Sequence, residues 1–160
     1  VLTFVQQLKT IFMKTTKKLI TKLNDLLATY QIHYQNLRGL HWNVKGENFF
    51  ELHMKYEELY IRTQDVIDDI AERLLSLDAQ PLHRYSDYLA KSALKENTTI
   101  QDGKGGVDYL VKSQKTLIEL ERELLNLTDE LNDEGTNALM SDFIREKEKT
   151  TWMFNAWLNK

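Results

Sequence analysis

A single proline, Pro81, interrupts this chain of 160 residues, and most of its six glycines sit in short junctions: Gly46, Gly103, Gly105, Gly106 and Gly135. Proline and glycine disfavour a helix interior by about 3 and about 1 kcal/mol. The long stretches between them are therefore free to be helical, and they carry the helical period. Leu19, Leu23, Leu26, Leu27, Tyr30, Tyr34 and Leu37 share one face. Leu52, Tyr56, Leu59, Ile67, Ile70 and Leu74 form a second apolar face, closed off by Pro81. Val107, Leu110, Val111, Leu117, Ile118, Leu124 and Leu125 form a third, and Leu139, Phe143, Ile144, Phe154, Trp157 and Leu158 a fourth. The predicted helices span 15–40, 47–77, 106–131 and 136–159.

Their connections predict the topology. Residues 43–46 and 132–135 are short, so helices 1 and 2 form one antiparallel pair and helices 3 and 4 another. Residues 78–105 are long enough to run the length of a bundle, with room for a short helix over 86–94. Two hairpins joined by one long crossover make an all-α, ferritin-like four-helix bundle. Hydrophobic residues at 42% and charged residues at 28% suit one globular domain over 1–160, with 1–14 as an N-terminal extension.

With no cysteine in the chain, disulfides and thiolate metal sites are excluded. No apolar run reaches the roughly 18 residues a membrane span needs. Residues 1–12 are apolar, but no basic region precedes them and no small-residue cleavage site follows, so they are not read as a signal peptide. A cytoplasmic location is the expectation. A net charge of −3 gives the whole molecule no general attraction for nucleic acid. Yet Lys9, Lys14, Lys17, Lys18 and Lys22 precede the first acidic residue, Asp25. Two readings stand: a solvated helix face, or a basic arm for DNA phosphate. Phe4, Val5, Leu8, Ile11 and Phe12 recur at helical spacing among these lysines, which favours a docked amphipathic helix over a free tail.

Helix 2 carries an unusual polar stripe. His53 and Glu57 lie four residues apart, as do Asp68 and Glu72, and the eleven residues between Glu57 and Asp68 are close to three turns. His41 ends the preceding helix, across the short loop from His53. Imidazole with carboxylates suits iron, manganese or zinc, whereas carboxylates and water alone suit magnesium or calcium. At 1.5 Å per residue, His53 and Asp68 are about 22 Å apart along the helix, and ligands must lie within roughly 2.5 Å of a metal. One ion cannot join the two halves within a chain. Either they are unrelated, or a second copy packed antiparallel completes two equivalent sites. Ordinary helix pairing also accounts for such residues: Glu72 with Arg73, and Glu57 facing solvent beside Glu58. His33 and His83 lack acidic companions and are left as structural or exposed.

The run His41-Trp42-Asn43-Val44-Lys45-Gly46, followed by Asn48-Phe49-Phe50, Leu52-His53, Asp68 and Ala71-Glu72-Arg73, resembles the signature of the Dps family. These are the DNA-binding proteins from starved cells, or miniferritins. Asp133-Glu134-Gly135-Thr136, Glu148-Lys149 and Trp152-Met153 are similar to the family's last helix, so the likeness covers about residues 17–158. The resemblance implies a hollow dodecamer storing ferric mineral, with ferroxidase centres at two-fold interfaces. The family's histidines fall on His41 and His53, and its Asp and Glu pair on Asp68 and Glu72. Its remaining carboxylate, commonly Asp, falls on Glu57, and Trp42 lies beside the iron. Iron is the implied metal, though other divalent metals can occupy such sites, and hydrogen peroxide is the implied oxidant. The activity implied is that of an oxidoreductase that detoxifies iron, maintains cellular iron homeostasis and limits oxidative stress. Asp129, Asp133 and Glu134 are candidates for an iron-entry pore on a three-fold axis, or simply cap and solubilise a helix junction. The alternative function is a nucleoid-associated protein that binds and compacts DNA. Against it, the N-terminus is partly apolar rather than a flexible lysine-rich tail.

Overall fold

The computed structural model describes residues 3–159. Five helices follow one another, with no strand among the described residues: α1 (Phe4–Asn43), α2 (Phe49–Ser76), α3 (Tyr85–Lys91), α4 (Gly103–Leu131) and α5 (Glu134–Trp157). α1 packs on α2, α4 on α5, and α1 on α4, while the short α3 rests on α1 within the crossover. This is the four-helix bundle with one long connection that the loop lengths imply. No helix in the described residues is long and apolar enough to cross a membrane.

The N-terminal boundary differs from expectation. α1 does not begin at residue 15: it starts at Phe4, behind a capping box in which Thr3 and Gln6 satisfy each other's backbone N–H groups. Thr16, a plausible cap by residue type, instead donates its hydroxyl to the Phe12 carbonyl at 2.9 Å, as an interior helical threonine does. The extension is therefore helical, yet undocked: Phe4, Val5, Leu8, Phe12 and Met13 are all exposed, and burial begins at Leu19.

The other boundaries move by a few residues, each for a local reason. α4 opens at Gly103 rather than 106, because Asp102 caps it through the Gly105 N–H. Gly106 is needed where it stands, since a Cβ there would lie 2.5 Å from the buried Tyr56 hydroxyl. Asn132 ends α4 in the left-handed conformation at φ 53°, and Asp133 caps α5. α3 ends at Lys91, after which Ser92 and Thr29 take over the backbone groups of Leu94 and Ala93.

Two apolar clusters fill the bundle. One surrounds Leu23, Leu26, Ile70, Leu117 and Phe143, and the other joins Leu37, Leu40, Tyr56, Val107 and Leu110. Inside the first lies an ionic pair. Lys147 Nζ sits 2.8 Å from Glu121 Oε1, which also accepts the Tyr30 hydroxyl, and Lys147 donates to the Phe143 carbonyl. Burial pushes the Glu121 carboxyl up and the Lys147 ammonium down, and their mutual attraction opposes both shifts. His33 is buried beside them. Desolvation first, and the Lys147 charge second, lower its pKa to about 3, so it is neutral at physiological pH.

Candidate metal centre

His41 lies in the last turn of α1 and His53 in the first turns of α2. Val44 packs into the core and Gly46 takes φ 99°, so the loop folds back tightly and brings the two rings face to face, 3.8 Å between centroids and 20° between planes. His41 Nδ1 lies 2.7 Å from the His53 carbonyl oxygen, and His53 Nδ1 lies 2.8 Å from the His41 carbonyl oxygen. A carbonyl only accepts, so each Nδ1 must carry the proton. In the neutral ring this leaves the lone pair on Nε2, the form in which imidazole binds a metal. Phe49 stacks on His53 at 5.0 Å and Tyr60 meets His41 edge-on at 5.3 Å, which confines both rings.

Glu57 follows one turn beyond His53 and is half-buried. The Tyr60 hydroxyl donates to Glu57 Oε1 at 3.3 Å. Trp42 is 57% exposed, with the Arg38 guanidinium 4.6 Å above its ring. His53 and Glu57 thus share one end of α2, against which the end of α1 sets His41, with Trp42 next to it in the chain.

Asp68 and Glu72 do not join them. Both are exposed further along α2, about 22 Å (Asp68) and about 28 Å (Glu72) from His53 by the helical rise, and neither carboxylate has a hydrogen-bond or ion-pair partner among the described residues. Glu72 does not pair with Arg73, which reaches Asp133 at 2.7 Å and the Thr136 hydroxyl at 2.9 Å instead. Among the described residues of one chain, no three His, Asp or Glu side chains are grouped to hold a metal. The stripe of α2 that bears the acids also exposes Phe50, Met54, Ile61 and Leu75.

The acidic junction divides. Asp133 caps α5 and binds Arg73. Burial alone would raise its carboxyl, but the Thr136 hydroxyl and N–H, together with Arg73, hold it below the usual carboxylate range. Asp129 accepts the Asn137 amide at 3.0 Å, and Glu134 is exposed. Tyr60 has no part in the sequence-based expectations, although its spacing of three from Glu57 is a usable signal, and Arg73, expected beside Glu72, pairs with Asp133 instead.

A bundle of four long helices with one long crossover defines the class of ferritin-like helical proteins, and comparison with known proteins agrees. The family model described as a ferritin-like domain matches residues 20–160. The chain is 46% identical over 139 residues to an uncharacterized protein of Haemophilus influenzae, covering 87% of each. It is 35% identical to the DNA protection during starvation protein of Porphyromonas gingivalis, covering 86% of this chain and 87% of the relative. Among solved structures, the Vibrio cholerae DPS protein, described as one of the ferritin-like diiron-carboxylate proteins, superposes with TM-score 0.88 at 50% identity over 91% of each chain. Dps from Listeria innocua soaked with zinc superposes with TM-score 0.85 at 28% identity, over 89% of this chain and 97% of that one. The chain belongs to the Dps family of ferritin-like proteins. At family level this carries iron storage and protection under stress.

Proposed function

We propose that the protein is a ferroxidase whose iron sites form between two copies of the chain, with His41, His53 and Glu57 from one and Asp68 and Glu72 from the other. The observation that carries this reading is the reciprocal pairing of His41 and His53, which presents two metal-ready Nε2 atoms where a single chain supplies too few ligands. The α2 stripe supports it. In an antiparallel pair of α2 helices, the register that sets His53 opposite Glu72 also sets Glu57 opposite Asp68. It sets exposed Phe50 opposite exposed Leu75 as well. A second copy would thus cover an apolar strip and complete the ligand set in one step.

Ferrous iron is the substrate. Hard carboxylate oxygen favours the ferric product. Two ferrous ions each give up one electron to hydrogen peroxide; its O–O bond breaks, two protons are taken up, and two waters form without hydroxyl radical. Ferric ion then collects as mineral within a hollow dodecamer. Asp129 and Glu134 would draw cations towards an entry pore, with Asp133 shaping the junction as its cap. Trp42 stands where it can absorb stray oxidising equivalents. The test is peroxide consumption with added ferrous iron. A His41→Ala, His53→Ala variant that still assembles should lose at least about 100-fold in rate, a loss of the size metal-site changes produce. An unchanged rate would remove the histidines from the site.

A second reading, DNA binding, draws on the exposed lysines Lys9, Lys14, Lys17 and Lys18, with Lys22 already paired to Glu123 at 2.8 Å. It predicts a mobility shift of DNA at low salt that is abolished when these four lysines become glutamine. A shift that survives the substitutions would exclude an N-terminal DNA arm.

A further inference from the structure

We infer that Tyr60 is a positioning residue for the metal half-site, holding the Glu57 carboxylate in place before any metal arrives. The inference rests on the reading of His41, His53 and Glu57 as one half of an iron site. Glu57 stands on a partly exposed helix face with three rotatable side-chain bonds. Ordering such a side chain costs conformational entropy, and that cost would fall on metal binding unless something else meets it. Tyr60 lies one turn further along the same helix, on the same side as Glu57. Its hydroxyl donates to Glu57 Oε1 at 3.3 Å. A carboxylate has about four lone-pair sites, so a single donor leaves Oε2 and part of Oε1 available for a cation.

Tyr60 can act as a tether because its own ring is held. It meets His41 edge-on at 5.3 Å and 74°, and Tyr34 edge-on at 6.0 Å and 83°. The Arg38 guanidinium lies 5.4 Å from the centre of the Tyr34 ring. Tyr60 therefore touches a nitrogen ligand through its ring and a carboxylate ligand through its hydroxyl. Both belong to the same chain, and this joins three side chains from two helices into one unit. No comparable support reaches Asp68 or Glu72, which are exposed and unpartnered among the described residues. The two halves of the site are thus unequal: one is organised within the subunit, and the other is supplied by its partner.

The test is calorimetric titration of the assembled protein with Zn2+ alone, comparing wild type, Tyr60→Phe, Glu57→Ala and the double variant. Tyr60→Phe keeps the ring and removes only the donor. It should weaken Zn2+ binding roughly tenfold, as loss of an outer-shell partner does, with unchanged stoichiometry and an unchanged unfolding midpoint. In the Glu57→Ala background the same substitution should have no further effect, because there is no carboxylate left to hold. Wild-type affinity in Tyr60→Phe, or an equal penalty with and without Glu57, overturns the positioning role. A His41→Ala, His53→Ala variant separates the two levels of the argument. If it loses Zn2+ while Tyr60→Phe does not, only the Tyr60 role fails. If it binds Zn2+ like wild type, the half-site reading fails and the Tyr60 role with it.

Discussion

His33 shows how much a single buried group can govern. Both of its neighbours of consequence, the apolar interior and the Lys147 ammonium, disfavour its charged form, and its pKa falls from 6.5 to about 3. In the unfolded chain it titrates near 6.5. Between these values the unfolded state binds the extra proton, so stability is lost as pH falls from about 6.5 towards about 3. By pH 5 the loss should be about 2 kcal/mol, since each pH unit in this window is worth about 1.4 kcal/mol. His33→Gln should remove that slope: the difference between urea midpoints at pH 7 and pH 5 should shrink. An undiminished difference would place the acid sensitivity elsewhere, with the buried Glu121 and Lys147 the next groups to examine.

Among the helices, α2 has most to do, because its two ends are held by different means. Its N-terminal end is anchored by the histidine pair across the loop, and by the Trp157 indole donating to Glu51 at 3.0 Å. Its C-terminal end is clamped by Arg73, which reaches across to the cap of α5. The Arg73 and Asp133 side chains are only 26% and 13% exposed, so solvent screens this pair less than most. Arg73→Ala should destabilise the chain by about 1–3 kcal/mol, the usual cost of leaving a partly buried charged group without its partner. Because Asp133 is held below the usual carboxylate range, its contribution is present above about pH 4 and fades as the pH falls through its lowered pKa. Urea unfolding of the variant at neutral pH and near pH 3 measures both the loss and its disappearance.

At the scale of the whole molecule, the site reading makes activity a property of pairs. A His41→Ala, His53→Ala chain and an Asp68→Ala, Glu72→Ala chain should each be inactive alone. In a mixed two-fold pair, one site combines both lesions, while the other joins intact histidines to intact acids. Random co-assembly at equal amounts should therefore restore about a quarter of the sites, from the geometry of an isologous interface. Ferrous oxidation by the co-assembled shell, against the two variants mixed without reassembly, measures this. No recovery would mean that the two ligand sets do not meet across the interface.

Much of this was legible in the order of residues, because its causes are local. The spacing of leucines sets a helical face, and two short loops with one long one set a bundle with a crossover. The rise of α2 alone separates His53 from Asp68 by about 22 Å and so rules out a one-chain site. The run from His41 to Arg73 carried the family resemblance. What lay beyond reach depends on groups that meet only after folding. Whether Thr16 starts a helix or continues one is settled by a carbonyl one turn away, and the helix runs on to Phe4. The tautomer of each metal-ready histidine is set by the carbonyl across the loop. Asp133 is drawn into a cap by an arginine sixty residues earlier. The sequence by itself determined which candidate ligands the chain carries and that one chain cannot gather them around one ion. The tertiary structure decided which of these side chains are held in place, because a lone pair is directed only by the partners that folding places around it.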